Sequence, residues 1–100
     1  MANEASEVER AASRALGDLL RTRRMEKALS QEKLAHQVGI NRNYYQQLES
    51  GLSQRAARTP ANPTFLMLMR LSEALGVPVG ELIDEAIETG RREVAERLGE

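Results

Sequence analysis

The sequence predicts an all-α domain, and three observations carry that prediction. Apolar residues recur at helical spacing in five successive stretches, each bounded by a capping residue, a glycine or a proline. No run alternates Val, Ile, Thr or aromatic residues over the length of a strand. One hundred residues, 41% apolar with Tyr44, Tyr45 and Phe65 as the only aromatics, suffice for one core built of Leu, Ala, Ile, Val and Met.

The elements follow in order. Ser6 with Glu9 three residues on reads as a capping box, opening a first helix whose Ala12, Leu16, Leu19 and Leu20 keep helical spacing to about Lys27. Ser30 caps a second helix with Leu34, Ala35 and Val38 on one face, stopped by Gly39. Asn41 caps a third, holding Tyr45 and Leu48 and stopped by Gly51. Residues 52–62 have no apolar period and are predicted to form a loop. Pro63-Thr64 opens a fourth helix through Ala74 or Leu75, ended by Gly76. Pro78 restarts the chain, and Leu82, Ile83, Ala86 and Ile87 mark a fifth helix. After Gly90 the stretch RREVAERLGE either continues that helix or forms a separate tail.

Composition removes several classes of function. There is no cysteine, hence no disulfide framework and no thiolate metal site. His36 is the only histidine, so neither a multi-His metal site nor paired imidazole chemistry is available, and no Gly-rich phosphate loop follows a strand. No enzyme activity, cofactor or metal is expected. The longest apolar run, Phe65 to Met69, is far short of the roughly 20 residues of a membrane span. The first ten residues, MANEASEVER, are acidic where a signal peptide is basic. The expected location is cytoplasmic and nucleoid-associated, with no membrane partner.

The net charge of −1 is unevenly spread. Residues 21–60 carry eight basic side chains against Glu26, Glu32 and Glu49, a net +5, while residues 1–20 carry −2 and residues 61–100 carry −4. A basic middle between acidic ends suits a polyanion-binding face, although clustered solvated charges would look the same.

Two short helices, Gln31–Val38 and Arg42–Ser50, joined by a tight glycine turn, make a helix-turn-helix. Ala35 is small where the helices cross, and Gly39 supplies a positive φ that a Cβ would penalise. Leu34, Val38, Ile40, Tyr45 and Leu48 join the pair to the rest of the chain. Here the sequence resembles the phage-repressor and Cro-like (XRE) family of DNA-binding proteins. Leu16-Gly17-x-x-Leu20-Arg21-x-x-Arg24 looks like that family's first helix, and Leu29-Ser30-Gln31-Glu32-x-Leu34-Ala35 like its second. Leu48-Glu49-x-Gly51 resembles the end of the third, and Pro63-Thr64-x-x-x-Leu68-x-x-Leu71-x-x-Ala74-Leu75-Gly76-Val77 the fourth and its turn.

The resemblance implies a five-helix lambda-repressor-like DNA-binding domain over residues 16–83. Residues 1–15 would extend its first helix, and residues 84–100 would form a helical C-terminal extension. It further implies a structural salt bridge between Arg24 and Glu49. Four departures stand out. Ala28 replaces the usual Gly after the first helix, and Lys33 replaces an acid at the second helix's cap. Tyr45 replaces a β-branched core residue, so its hydroxyl needs a partner or an exit to solvent. The loop before Pro63 is also longer than usual.

With Tyr45 and Leu48 inward, Asn43, Gln46, Gln47 and Ser50 point outward on the third helix, flanked by Arg42 and Tyr44. Asn and Gln read adenine bidentately and Arg reads guanine, so Arg42, Asn43, Gln46 and Gln47 are the expected base contacts in double-stranded DNA. Ser30 and Gln31, at the positive end of the second helix, are expected at phosphates, with Asn41, Tyr44, Arg55 and Arg58 beside them. An apolar set, Leu66, Met67, Ile83, Ile87, Val94 and Leu98, is the expected homodimer interface; the alternative is a tail folded over Leu66 and Met67 within one chain. The predicted function is a transcriptional regulator such as a repressor. The alternatives are an antitoxin with a toxin partner, which represses its own operon, or a protein-interaction module on the same fold.

Overall fold

The computed structural model describes residues 5–54 and 59–99. Within them the chain forms five helices and one small antiparallel ribbon: α1 (Glu7–Glu26), α2 (Gln31–Val38), α3 (Arg42–Ser50), β1 (Leu52–Gln54), β2 (Thr59–Pro60), α4 (Phe65–Leu75) and α5 (Val79–Arg97).

Local chemistry sets the helix ends. Ser6 Oγ accepts from the Glu9 amide and Glu9 Oε1 accepts from the Ser6 amide, a reciprocal box at the start of α1. Ser30, Asn41 and Thr64 each accept the amide three residues on, opening α2, α3 and α4. The turn between α2 and α3 passes through Gly39 at φ +81°. Where the family's glycine is missing, Ala28 itself takes the left-handed conformation, φ +55°, at a cost of about 1 kcal/mol. The chain accepts that strain because the Leu29 amide then reaches back to the Arg24 carbonyl.

Residues 52–62 are not wholly a loop. Leu52 pairs with Pro60 and Gln54 with Thr59 in the ribbon, with an irregularity between them. The Ala61 amide donates to the Gly51 carbonyl and Ser13 Oγ donates to the Ala61 carbonyl, so the returning strand is pinned to both α3 and α1. Strands of three and two residues are too short to leave a period in the sequence.

The main core gathers Leu20 of α1, Leu34, Ala35 and Val38 of α2, Tyr45 and Leu48 of α3, Met67, Leu71 and Leu75 of α4, and Leu82 of α5. Each fully buried leucine contributes roughly 1.5–3 kcal/mol from removal of its apolar surface from water.

α5 runs through Gly90 without a break and lies antiparallel along α1. The sequence boundaries at 15/16 and 83/84 therefore fall inside helices that pack on each other. A Cβ at Gly90 would stand 2.7 Å from the Ala12 nitrogen and 3.1 Å from the Val8 carbonyl oxygen, so only glycine allows this approach. Ala11, Ala15, Ala86 and Val94 are buried along the two helices. Ion pairs mark the seam: Arg97–Glu7 at 3.1 Å, Arg14–Glu93 at 2.9 Å and Arg23–Glu81 at 3.7 Å. Two residues expected at a dimer interface are thus spent inside the chain. Val94 is buried on the side of α5 that carries Gly90, and Met67 belongs to the main core. The tail covers α1; Leu66 stays open, 53% exposed.

Candidate nucleic-acid interface

α3 is positioned by close backbone approach and by a buried polar network. At Gly17, α1 comes so near α3 that a Cβ would meet the Glu49 carbonyl oxygen at 2.4 Å and that of Leu48 at 2.7 Å. Two turns further along α1, Arg24 forks onto the Glu49 carboxylate: Nε donates to Oε2 at 2.6 Å and Nη2 to Oε1 at 3.2 Å. Arg24 Nη1 also donates to the Leu29 carbonyl at 2.8 Å. The two side chains are only 12% and 6% exposed.

Two further donors complete the carboxylate. The Tyr45 hydroxyl donates to Oε2 at 2.5 Å, and Gln31 Nε2 donates to Oε1 at 2.9 Å. Each oxygen accepts two hydrogen bonds, which fills its lone-pair directions. Burial alone would raise the Glu49 carboxyl, but the hydrogen bonds from Arg24, Tyr45 and Gln31 outweigh it and hold the group below the usual carboxylate value. The bond to Glu49 raises the Arg24 guanidinium further, and burial followed by the Glu49 contact pushes the Tyr45 phenol well up.

With that side locked, the opposite face of α3 is free to meet a ligand. Arg42, Asn43 and Gln46 are exposed and Gln47 is half-buried. Ser50 is exposed but serves the helix end, donating to the Gln47 carbonyl and accepting from the Leu52 amide. Asn41 Oδ1 and Ser30 Oγ are occupied as caps, both at exposed positions, and Tyr44 is half-buried against the core. Lys33 adds an exposed cation on α2. Arg55 and Arg58 lie outside the described residues.

Sequence reasoning missed that Gln31 reaches Glu49 and that Tyr45 does. The second had a signal, since residues 45 and 49 are neighbours on one helix face. The first had none, because the partners are 18 residues apart on different helices. It also missed Met69, 46% exposed, which joins Leu66 and Val79 in a shallow groove between α4 and α5.

A capped helix pair at a glycine turn, held by a third helix and presenting an Asn/Gln/Arg face, defines a helix-turn-helix domain. Residues 20–82 match the helix-turn-helix family. Among solved structures, the chain is similar to the restriction-modification controller protein C.AhdI of Aeromonas hydrophila: 32% identity, TM-score 0.58, 69% of this chain and 92% of that one. It is also similar to the clp gene regulator ClgR of Corynebacterium glutamicum, with 24% identity, TM-score 0.69 and coverage of 86% and 83%. A second ClgR structure gives 25% identity, TM-score 0.64 and coverage of 89% and 97%. No curated protein matches the chain in sequence. The chain belongs to the helix-turn-helix family, of the XRE type, and is a DNA-binding transcription regulator. No helix among the described residues is long and apolar enough to cross a membrane.

Proposed function

We propose that the chain regulates transcription by laying α3 in the major groove of duplex DNA, with Arg42, Asn43, Gln46 and Gln47 toward the base edges. The observation that carries this reading is the exposed face of α3, which offers amides and one guanidinium, while its only carboxylate is turned inward onto Arg24. Such side chains pair bidentately with adenine and guanine. In this reading Ser30, Asn41 and Tyr44, with the backbone amides of Gln31 and its neighbours at the α2 N-terminus, contact phosphates.

Selection of bound sites from random duplex DNA tests this directly and is expected to return one enriched motif. A variant carrying Arg42→Ala, Asn43→Ala and Gln47→Ala keeps its helical content and loses about 1–3 kcal/mol of discrimination for each good base contact removed. Recovery of no motif at moderate salt would sink the reading.

The regulator acts as a homodimer in this proposal, because one such helix reads only a few base pairs and two half-sites lie about one helical turn apart. Leu66 and Met69, 53% and 46% exposed, line the α4–α5 groove, and Ile87 on α5 is 36% exposed. Exposed apolar side chains gathered at a groove are typical of an interaction site. Leu66→Glu is expected to give a folded monomer with weakened binding to a two-half-site operator. A monomeric mass for the unsubstituted chain in light scattering at micromolar concentration would end the dimer proposal.

A further inference from the structure

The side chain of Gln31 stands at the start of α2, where a phosphate contact is the obvious assignment. The structure gives it another partner. Gln31 Nε2 donates to Glu49 Oε1 at 2.9 Å, in a half-buried setting, on the same carboxylate that holds Arg24 and Tyr45. Its position in the motif gives that bond its significance. α2 and α3 are hinged at Gly39, between Val38 and Arg42. Gln31 is the first residue of α2 and Glu49 the penultimate residue of α3, so the bond joins the two helices at the ends farthest from the hinge. An eight-residue helix is about 12 Å long, so a slip of about 1 Å at that distance is a rotation of about 5°. A tie at the far ends holds the angle between the helices far more stiffly than packing near the turn.

We infer that Gln31 is a positioning residue for DNA reading: acting through Glu49, it fixes the angle at which α3 is presented, and so sets specificity rather than overall affinity. Asn43, Gln46 and Gln47 hold a base edge only with well-aligned paired hydrogen bonds, which tolerate little rotation. Phosphate contacts tolerate more, because flexible cationic side chains and the surrounding field follow the backbone. A loosened angle therefore costs base reading and spares the electrostatic part of binding. This rests on α3 being the reading helix.

The test uses the full chain with Gln31→Met, which keeps an unbranched stem and removes the donor, and Gln31→Ala beside it. Binding to the selected site and to unrelated duplex DNA is measured over a range of salt, well below the melting temperature. The expected result is a ratio of specific to non-specific affinity lowered about tenfold, the worth of one hydrogen bond to a charged group, with the salt slope and non-specific affinity unchanged. A shallower salt slope with both affinities reduced alike would make Gln31 a phosphate ligand and overturn the inference. So would a lowered melting temperature with the ratio unchanged, the mark of a merely structural bond. An unsubstituted chain without sequence preference would overturn the reading of α3 itself, which separates that failure from the failure of the Gln31 role.

Discussion

Glu49→Ala is expected to destabilise the domain by about 3–5 kcal/mol, a large share of the roughly 5–15 kcal/mol that holds a domain of this size together. The loss is large because the carboxylate is the shared acceptor of three helices. Its removal leaves Tyr45, whose ring is fully buried, and Arg24, whose side chain is 12% exposed, without their main partner. A buried guanidinium stripped of its counter-charge costs more than the pair contributed when intact. Arg24→Ala is expected to fall in the same range for the converse reason. Denaturant titration measures both, and an unchanged midpoint would mean that the network adds no net stability. The pH dependence has a definite sign. The Glu49 carboxyl is held below its ordinary value in the fold, so its contribution is complete above the unfolded value of about 4.3 and is lost as pH falls through the folded one. Glu49→Gln should accordingly flatten the acid limb of the stability curve while leaving the curve's shape near neutrality unaltered.

Gly17→Ala is the second large effect, and its sign is decided by competition. In an exposed helix interior the change would stabilise by about 1 kcal/mol. Here the new methyl would sit 2.4 Å and 2.7 Å from the carbonyl oxygens of Glu49 and Leu48, which are backbone atoms and cannot swing aside. α1 and α3 must separate, at an overpacking cost of up to about 3 kcal/mol that outweighs the helical gain. The separation also strains the Arg24–Glu49 fork, so DNA binding should weaken more than the lowered melting temperature alone implies. A higher melting temperature for Gly17→Ala would refute the close α1–α3 approach.

Much of this was legible in the residues. Ser30, Asn41 and Gly39 mark the limits of α2 and α3 because caps and left-handed turns are local chemistry, written within three or four residues of where they act. Tyr45 announced an unmet need for a partner, and the structure supplies Glu49 one turn away. What could not be read was set at a distance. The ribbon of Leu52–Gln54 and Thr59–Pro60 is anchored where Gly51, Ala61 and Ser13 meet, not by residues that favour strands. Gly90 looked like a possible end to α5, yet there α5 lies directly against the α1 backbone; only the facing backbone distinguishes the two. Met67 and Val94 were indistinguishable by pattern from Leu66 and Ile87, since an apolar residue on a helix does not say which neighbour will cover it. For the exposed face of α3, the sequence names the side chains, and the fold adds which of them reach solvent.

The pairing of α1 with α5 has a consequence for the order in which the chain folds. Glu7 meets Arg97, and Gly90 rests on Val8 and Ala12, so the seam joins residues some 80 to 90 positions apart in a chain of 100. Contacts of that separation carry a heavy loop-closure penalty and form late. Until residues 86–94 dock on it, α1 keeps its Ala11 and Ala15 face in water. Folding therefore joins α2 to α3 through near neighbours in the chain first, and closes the α1–α5 seam afterwards.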